Sequence, residues 1–337
     1  MTLEEFLEEW NSPSATVLVH TSGSTGEPKP MLVEKSRMEA SARITCRFLG
    51  LKPGSTALLC LPLDYIAGKM MVVRALTFGL KLQAIEPKGM PVWQGRVDLA
   101  AMVPLQVYNL LKDEDGRRRL MQTDHLLIGG GPVDDALAHE LAAFPNHVWS
   151  TYGMTETLSH IALRRLNGPE ATEWYTPLEG VSVSLNSDDC LVVNAPAVCP
   201  VPLVTNDIAQ LRDGTFRILG RRDNVVCSGG MKIQIEEVER LLRPHLAIPF
   251  MITKAQDKKL GEQVVLLAED ENAEADSLLA LCRQVLPKYY VPRSVVAVSR
   301  LPMTATGKPA RKEAERIARG ATAPRDKSPE PPQSPLL

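Results

Sequence analysis

Residues 15–29 read ATVLVHTSGSTGEPK, a short apolar run followed at once by a polar loop rich in Ser, Thr and Gly. The apolar run, residues 15–20, predicts a buried strand. In the loop, Gly23 and Gly26 allow a tight backbone turn that brings N–H groups close to an anion. The loop is not a Walker A motif, because two residues separate Gly26 from Lys29 and no Ser or Thr follows that lysine.

The side chains of this loop are suited to phosphate, since hydroxyl donors and an ammonium group can surround phosphate oxygens. A flexible surface loop is the alternative, because Ser, Gly and Pro are all common turn residues. The predicted phosphate-binding residues are Thr21, Ser22, Gly23, Ser24, Thr25, Gly26 and Lys29.

Around this stretch, short apolar runs alternate with helical patterns as far as about residue 155. The alternation predicts an α/β large domain with a mainly parallel sheet flanked by helices. Ligands in such sheets bind beyond the carboxyl ends of the strands. The segment from Ala67 to Leu80 is interpreted as one amphipathic helix of this layer.

The pattern of predicted strands and helices changes twice further along the chain. From about residue 175, short strands joined by Asp/Gly turns predict an antiparallel, β-rich patch. We therefore assign residues 1–222 to the large domain and residues 223–318 to a small α+β C-terminal domain. Residues 319–337 are rich in Pro and Ser and are predicted to be a disordered tail.

The composition is that of an ordinary globular protein, with 44% hydrophobic residues, 23% charged residues and a net charge of −2. No global charge favours nucleic acid or an anionic membrane. The six cysteines form no CxxC pair, which indicates reduced thiols in a cytoplasmic protein. The acidic N-terminus predicts a capped helix at Thr2 and Glu5 rather than a signal peptide, and no membrane insertion is expected.

The loop resembles the phosphate-binding loop of adenylate-forming enzymes, namely acyl-CoA synthetases, peptide-synthetase adenylation domains and luciferases. Residues 152–156, YGMTE, are similar to that family's adenine and magnesium motif. The resemblance implies that Tyr152 and Gly153 lie at the adenine, Thr155 contacts a phosphate and Glu156 binds Mg²⁺. Gly130 and Gly131, just after a strand, resemble the segment that lies along the adenine; each motif taken alone is also compatible with an ordinary turn.

Further motifs follow in the family's order. Residues 205–207, TND, resemble a Thr-Gly-Asp motif whose Asp207 would accept the ribose hydroxyls, with Asn replacing Gly because Asn also tolerates left-handed backbone. By the same resemblance, Arg221 would pair with the ribose and Asp223 would be the hinge about which the small domain moves as a lid. In the small domain, the predicted coenzyme A path contains Gly230 and Lys232.

Near the end of the chain, residues 302–308, PMTATGK, resemble the family's C-terminal lysine motif. Lys308 would then neutralise charge as a carboxylate approaches the α-phosphate of ATP, two anions that otherwise repel each other. A solvated surface lysine is the alternative. The resemblance implies ATP, Mg²⁺ and, because no Leu-Gly-Gly-x-Ser carrier motif follows, coenzyme A as the acceptor.

Three residues suggest a narrower branch, the o-succinylbenzoate–CoA ligases of menaquinone synthesis. Residues 61–68, LPLDYIAG, resemble a segment of those enzymes, although Tyr65 stands where His is usual. Arg74 and Ser159 match residues of the pocket that holds the aromatic carboxylate of the substrate. A dicarboxylate needs a cation for the carboxylate that does not react, and Arg74 can provide it unless it is a structural helix residue.

Only residues 1–19 precede the strand-to-loop junction at His20, whereas adenylate-forming enzymes generally have a longer preceding segment. A compact o-succinylbenzoate ligase, a fragment and a partly degenerate homologue would each explain this. The alternatives to the leading hypothesis are an acyl- or aryl-CoA synthetase for another acid and a non-catalytic nucleotide-binding homologue. The sequence leaves the oligomeric state open, including a homo-oligomer.

Overall fold

The computed structural model describes residues 1–20, 30–304 and 309–322. The chain divides into two compact units, Met1–Asp223 and Asn224–Leu337. The division follows Asp223, the predicted hinge, whose role as a hinge stays a prediction. The helices of the described residues are α1 (Leu3–Asn11), α2 (Lys35–Phe48), α3 (Ile66–Phe78), α4 (Pro104–Leu111), α5 (Glu114–Met121), α6 (Asp135–Leu141), α7 (Ile235–Leu242), α8 (Ala275–Val285) and α9 (Arg311–Thr322).

The strands fall into four sheets. Those of the first unit are β1 (Thr16–His20), β2 (Pro30–Glu34), β3 (Thr56–Leu59), β4 (Lys81–Ala84), β5 (Val97–Met102), β6 (Thr123–Ile128), β7 (His147–Gly153), β8 (His160–Arg165), β9 (Thr176–Pro177), β10 (Ser182–Leu185), β11 (Cys190–Asn194), β12 (Leu203–Arg212) and β13 (Thr215–Arg221). Those of the second unit are β14 (Val225–Ser228), β15 (Met231–Gln234), β16 (Phe250–Asp257), β17 (Gly261–Ala268) and β18 (Ser294–Ala297).

The central sheet of the first unit has the strand order β4-β3-β5-β6-β7-β8-β9. Pairing is parallel from β4 to β7 and antiparallel at β8 and β9. The predicted α/β class, with a mainly parallel sheet, is therefore confirmed. The functional motifs lie where strands β6 and β7 end, at the carboxyl edge of the parallel part.

The predicted strand before the polar loop is present, but it does not belong to this sheet and is buried on one of its two faces. Among the described residues, strand β1 pairs with β2 alone, antiparallel, in a two-stranded sheet. One face buries Val17 and Val19, while Leu18 is 41% exposed opposite Leu32, which is 69% exposed. An apolar run of this length cannot by itself distinguish a strand buried on both faces from one buried on a single face.

Helix α3 also differs from the prediction of an amphipathic helix. Eight consecutive residues, 68–75, are buried, so the helix is covered on all sides rather than on one. Gly68 allows this because a Cβ atom there would lie 2.3 Å from the carbonyl oxygen of Pro62. The helix thus carries the side chain of Arg74 into the interior of the first unit.

The N-terminal helix is fixed at both its start and its buried face. The predicted capping box is confirmed, since the Thr2 hydroxyl accepts from the Glu5 amide and the Glu5 carboxylate accepts from the Thr2 amide. Lys69 of α3, 3% exposed, donates to the Leu18 carbonyl oxygen (2.6 Å) and lies 3.6 Å from the Glu9 carboxylate. This buried ammonium group joins α1, β1 and α3.

The antiparallel patch predicted from about residue 175 is confirmed, because β10, β11, β12 and β13 form one antiparallel sheet in chain order. No helix among the described residues is long and apolar enough to cross a membrane.

The second unit contains a five-stranded sheet in which only the β17–β18 pair is parallel. The buried Glu239 accepts two hydrogen bonds from Arg311 (2.6 and 2.8 Å), which fixes the start of α9 against α7. Helix α9 continues to Thr322, three residues beyond the predicted boundary at residue 319, and the disordered tail stays a prediction. An ion pair between Glu315 and Arg319 supports this last turn.

Strands β7 and β8 approach each other closely at Gly153. A Cβ atom at this position would lie 2.3 Å from the Ser159 carbonyl oxygen and 2.4 Å from the Cα atom of His160. Both are backbone atoms, which cannot move aside as a flexible side chain can. The hairpin that carries residues 154–159 therefore depends on the absence of a side chain at Gly153.

We predict that Gly153→Ala lowers the free energy of unfolding by about 2 kcal/mol or more, because the added methyl group forces the two strands apart. Urea denaturation followed by circular dichroism measures the change. Gly131→Ala is the matched control, since its Cβ atom would meet the Pro104 ring at an ordinary distance of 3.8 Å. Equal stability of the two variants would contradict this account.

Candidate nucleotide and acid site

Three predicted nucleotide-binding side chains from different parts of the sequence meet in the first unit. The Tyr152 hydroxyl donates to Asp207 Oδ2 (2.6 Å), and Arg221 donates to Asp207 Oδ1 (3.1 Å). The carboxylate of Asp207 is thereby oriented by two donors, one at each of its oxygens. Such an ordered acceptor is suited to a diol, whose two hydroxyl groups both donate.

The aromatic ring of Tyr152 packs against two others. It meets Phe216 edge-on at 5.1 Å and is tilted against Tyr175 at 5.9 Å. Burial and the neighbouring Asp207 carboxylate raise the pKa of the Tyr152 phenol far above its usual value, so the hydroxyl remains a donor. The role of this ring at an adenine stays a prediction.

Asn206 replaces the usual glycine for a different reason from the one we gave. It lies within β12 and is not among the described non-glycine residues with left-handed backbone, which are Leu158, Asp189 and Asp213. Its side chain instead accepts from Arg222 (2.8 Å) and lies 3.4 Å from the Asp223 carboxylate, which also accepts from Arg221 (2.7 Å). The amide thus ties the ribose motif to the predicted hinge.

The glycine turn after β6 lies against β7. The Gly129 amide donates to the Met102 carbonyl (3.0 Å), and a Cβ atom at Gly129 would lie 2.2 Å from the Thr151 hydroxyl. Gly130 has a φ of 80°, a left-handed conformation that favours glycine. The predicted residues Gly130 and Gly131 therefore form the tight end of a strand at the ligand-binding edge of the sheet.

The turn after β7 separates a buried residue from an exposed one. Thr155 is buried, whereas Glu156 is exposed and has no ion pair with any residue that the structure describes. One free carboxylate fits Mg²⁺, which proteins commonly hold through one or two carboxylates together with substrate phosphates. Leu158 follows with a φ of 65°, an uncommon conformation that turns Ser159 inward.

The predicted acid-binding residues Arg74 and Ser159 are brought together although 85 positions separate them in the sequence. Arg74 Nη2 donates to Ser159 Oγ (2.6 Å), and Nη1 lies 3.4 Å from Met71 Sδ. Arg74 is 2% exposed, and burial lowers the pKa of its guanidinium to about 10. At neutral pH the group nonetheless carries a full positive charge inside the protein.

This buried charge has no carboxylate partner within the described part of the chain, and Arg74 Nε has no hydrogen-bond acceptor there. Tyr65, the third predicted acid-binding residue, caps the start of α3 and is 39% exposed. Within the described part of the chain, no hydrogen bond or ion pair joins Tyr65 to Arg74, so the structure brings together two of the three residues.

Two polar residues next to this pair were missed by the sequence analysis. His160 is buried, its Nε2 atom lies 3.0 Å from Thr45 Oγ1, and its Nδ1 atom lies 3.3 Å from Ser159 Oγ. Thr45 belongs to α2 and occupies the buried face of that helix. A histidine directly after Ser159 was the only signal available, and it gave no indication of a partner 115 residues away.

The remaining predicted residues fall into two groups. Gly230 and Lys232 lie at the β14–β15 turn of the second unit, both exposed, with Gly230 at a φ of 84°. The predicted phosphate-binding loop, residues 21–29, and the predicted catalytic residue Lys308 lie outside the described residues. The loop's flanking residues His20 and Pro30 pair with each other at the end of the β1–β2 sheet.

Family models match both parts of the chain. The model described as AMP-binding enzyme matches residues 4–206, and that of the AMP-binding enzyme C-terminal domain matches residues 254–308. The first covers more than half of the sequence. It includes the phosphate loop and residues 152–156, on which the resemblance to adenylate-forming enzymes was based.

Sequence relatives carry a more specific name. The chain is 25% identical over 334 residues to a 2-succinylbenzoate–CoA ligase of Listeria monocytogenes, covering 90% of this chain and 70% of that protein. It is 28% identical over 336 residues to a ligase of the same name from Geobacillus kaustophilus, covering 89% and 69%. The chain therefore spans about 70% of the length of these relatives.

Two solved structures agree with the fold. An acyl-CoA synthetase (AMP-forming)/AMP-acid ligase II-like protein from Dyadobacter fermentans is 34% identical, with a TM-score of 0.63, covering 92% of this chain and 91% of that one. The o-succinylbenzoate coenzyme A synthetase of Bacillus subtilis, solved with ATP and magnesium ion, is 24% identical with a TM-score of 0.72, covering 88% and 69%, and supports the fold alone. With its fold, its motifs and both family domains in agreement, the chain belongs to the AMP-binding enzyme family of adenylate-forming, AMP-producing acid–thiol ligases.

Proposed function

We propose that the protein converts o-succinylbenzoate to its coenzyme A thioester in two half-reactions. An oxygen of the succinyl carboxylate attacks the α-phosphorus of ATP, forming the acyl-adenylate and releasing pyrophosphate. The thiolate of coenzyme A then attacks the acyl carbonyl carbon, forming the thioester and releasing AMP. The predicted cofactors ATP, Mg²⁺ and coenzyme A are those of this family of ligases.

The residues divide this work between them. Asp207, oriented by Tyr152 and Arg221, accepts the ribose hydroxyls. The loop at residues 21–29 surrounds the phosphates, and Mg²⁺ bound at Glu156 would neutralise phosphate charge. Lys308 would screen the repulsion between the carboxylate and the α-phosphate as they approach.

The observation that carries the substrate proposal is the buried, uncompensated charge of Arg74. An unpaired charge in a protein interior costs on the order of 3–5 kcal/mol relative to the paired state. A carboxylate of the substrate would supply the missing partner and accept from Nε, the guanidinium atom without an acceptor among the described residues. A monocarboxylic acid has no carboxylate to spare, because its single one reacts with ATP.

The near alternative is a ligase for another aryl or acyl acid. The exposed Tyr65, which stands where His is usual in o-succinylbenzoate ligases, favours this reading because it changes one residue of the predicted pocket. An acid with a second anionic group would still satisfy Arg74. The choice between these acids therefore depends on the shape of the pocket rather than on its charge.

The proposed substrate also indicates the metabolic pathway in which the protein acts. Menaquinone biosynthesis is the pathway expected to supply it, and a cytoplasmic location without nucleic-acid partners stays a prediction. The predicted small-molecule partners are the acid, ATP and coenzyme A. The order of the two half-reactions requires the small domain to present Lys308 first and the Gly230–Lys232 turn afterwards, which remains a prediction from the family resemblance.

Arg74→Met tests the carboxylate subsite. We expect the KM for o-succinylbenzoate to rise at least tenfold, the loss of one charge-assisted interaction, with the KM for ATP unchanged. Because methionine removes a buried charge while filling a similar volume, the melting temperature should stay equal or rise. Pyrophosphate release and thermal unfolding measure the two effects.

The control is Arg43→Met, which removes an exposed arginine of α2 that forms a surface ion pair with Glu39. It should change neither KM nor the melting temperature by a measurable amount. An Arg74→Met protein that unfolds at lower temperature but keeps its KM for the acid would identify Arg74 as a structural residue. No turnover of o-succinylbenzoate by the unmodified protein would exclude the substrate itself.

Lys308→Ala tests the assignment of the half-reactions. Acyl-adenylate formation should fall by at least a hundredfold, because the screening charge is lost where two anions meet. Thioester formation from supplied acyl-adenylate and coenzyme A should be retained. Lys312→Ala, on helix α9, is the control, and an equal loss of both half-reactions in Lys308→Ala would contradict the separation of roles.

Asp207→Asn tests the ribose site. The amide keeps the size of the side chain but loses the charge that Arg221 and the Tyr152 hydroxyl recognise, so the KM for ATP should rise about tenfold or more. The KM for the acid should change much less. A reversed pattern, measured by varying each substrate in turn, would move Asp207 from the nucleotide site to the acid site.

A further inference from the structure

A chain of three hydrogen-bonded contacts runs from Arg74 into the interior of the first unit. Arg74 donates to Ser159 Oγ (2.6 Å), Ser159 Oγ lies 3.3 Å from His160 Nδ1, and His160 Nε2 lies 3.0 Å from Thr45 Oγ1. Arg74, His160 and Thr45 are all buried. The proposed carboxylate site accounts for the contact between Arg74 and Ser159 but not for the two contacts of His160.

The imidazole of His160 is neutral under ordinary conditions. Burial and the positive charge of Arg74, the charged group that acts on it, lower its pKa well below the usual value. A neutral imidazole has one N–H donor and one acceptor nitrogen. The two contacts of His160 must therefore have opposite directions, one donated and one accepted.

Two arrangements satisfy this condition, and they differ in where the Ser159 proton lies. If His160 Nδ1 accepts, the Ser159 proton is used inside the protein, and Nε2–H donates to Thr45. If His160 Nδ1–H donates, Ser159 Oγ accepts from both His160 and Arg74, and its own proton is free to be donated outward. Thr45 permits either arrangement, because a hydroxyl group both donates and accepts.

We infer that His160, held by Thr45, is a positioning residue that frees the Ser159 hydroxyl proton for the unreactive carboxylate of the acid substrate. The inference rests on the proposed function, since it deepens the same carboxylate subsite. In the complex, the carboxylate accepts a hydrogen bond from the Ser159 hydroxyl, and the neutral His160 is present as its Nδ1–H tautomer, with Nε2 accepting from Thr45. Ser159 then contributes a donor rather than a competing acceptor.

A residue that only fills space would behave differently. The alternative is that His160 packs between α2 and β8, with no influence on the acid. A substitution would then weaken binding of every acid, and of ATP, in proportion to the damage to the fold. A positioning role instead affects only acids that carry the second carboxylate.

The test uses two substitutions of His160, each of which places an amide nitrogen where one of the two ring nitrogens stands. Counted along the side chain from Cβ, the amide nitrogen of Asn occupies the place of Nδ1 and that of Gln occupies the place of Nε2. His160→Asn can therefore still contact Ser159, whereas His160→Gln can contact only Thr45. The probes are o-succinylbenzoate and 4-oxo-4-phenylbutanoate, which has the same succinyl arm without the ring carboxylate.

With o-succinylbenzoate, we expect His160→Gln to raise KM about tenfold with little change in kcat, because the lost contact is made equally in the ground and transition states. His160→Asn should raise KM clearly less. With 4-oxo-4-phenylbutanoate, neither variant should change KM relative to the unmodified protein. His147→Gln, an exposed histidine of β7, is the matched control.

Thr45→Val and Thr45→Ser provide a second, more conservative test should the His160 variants fail to fold. Thr45→Val removes the contact that holds the ring and should raise KM for o-succinylbenzoate by about threefold to tenfold, while Thr45→Ser should restore it. A parallel rise in KM for both acids in His160→Gln, or no rescue by Thr45→Ser, would overturn the positioning role alone. An unmodified protein with no preference for o-succinylbenzoate over 4-oxo-4-phenylbutanoate would instead overturn the proposed function, and the inference with it.

Discussion

The hydrogen bond between Arg74 and Ser159 joins the two parts of the first unit on which the proposed acid site depends. Arg74 lies in the part of α3, residues 68–75, that is buried on every side, and Ser159 lies in the turn that follows the predicted nucleotide motif of β7. For the two to meet, β7 and β8 must approach at Gly153, and the backbone must turn through the left-handed residue Leu158. A conformation as uncommon as that of Leu158 costs on the order of 1–3 kcal/mol and persists only where surrounding structure imposes it. The position of Glu156, between Gly153 and Leu158, is set by the same two constraints.

The sequence predicted the architecture well where periodicity and turn chemistry agree. The strand–helix alternation indicated the parallel sheet, and Asp/Gly turns indicated the antiparallel one. It failed at β1, because a five-residue apolar strand looks the same whether one face is covered or both. It failed again at α3. The predicted amphipathic helix would leave one face in solvent, whereas residues 68–75, including the polar Arg74, are all buried.

The site shows a similar division. Tyr152, Asp207 and Arg221 were found because each belongs to a motif, and the structure then supplied their mutual contacts. Thr45 and His160 belong to no motif, and their contact links residues 115 positions apart. Asn206 was found but misinterpreted, since backbone tolerance is a property of the residue type whereas its bonds to Arg222 and Asp223 are a property of the fold.

The guanidinium of Arg74, which has no carboxylate partner among the residues that the structure describes, also has a consequence for the lifetime of the protein. If the acid supplies the missing counter-ion, the folded state gains stability in proportion to the logarithm of the acid's concentration once that exceeds its dissociation constant. The empty protein then retains an electrostatic penalty that the loaded protein loses. Its steady-state abundance, and not only its turnover, would follow the supply of its own substrate.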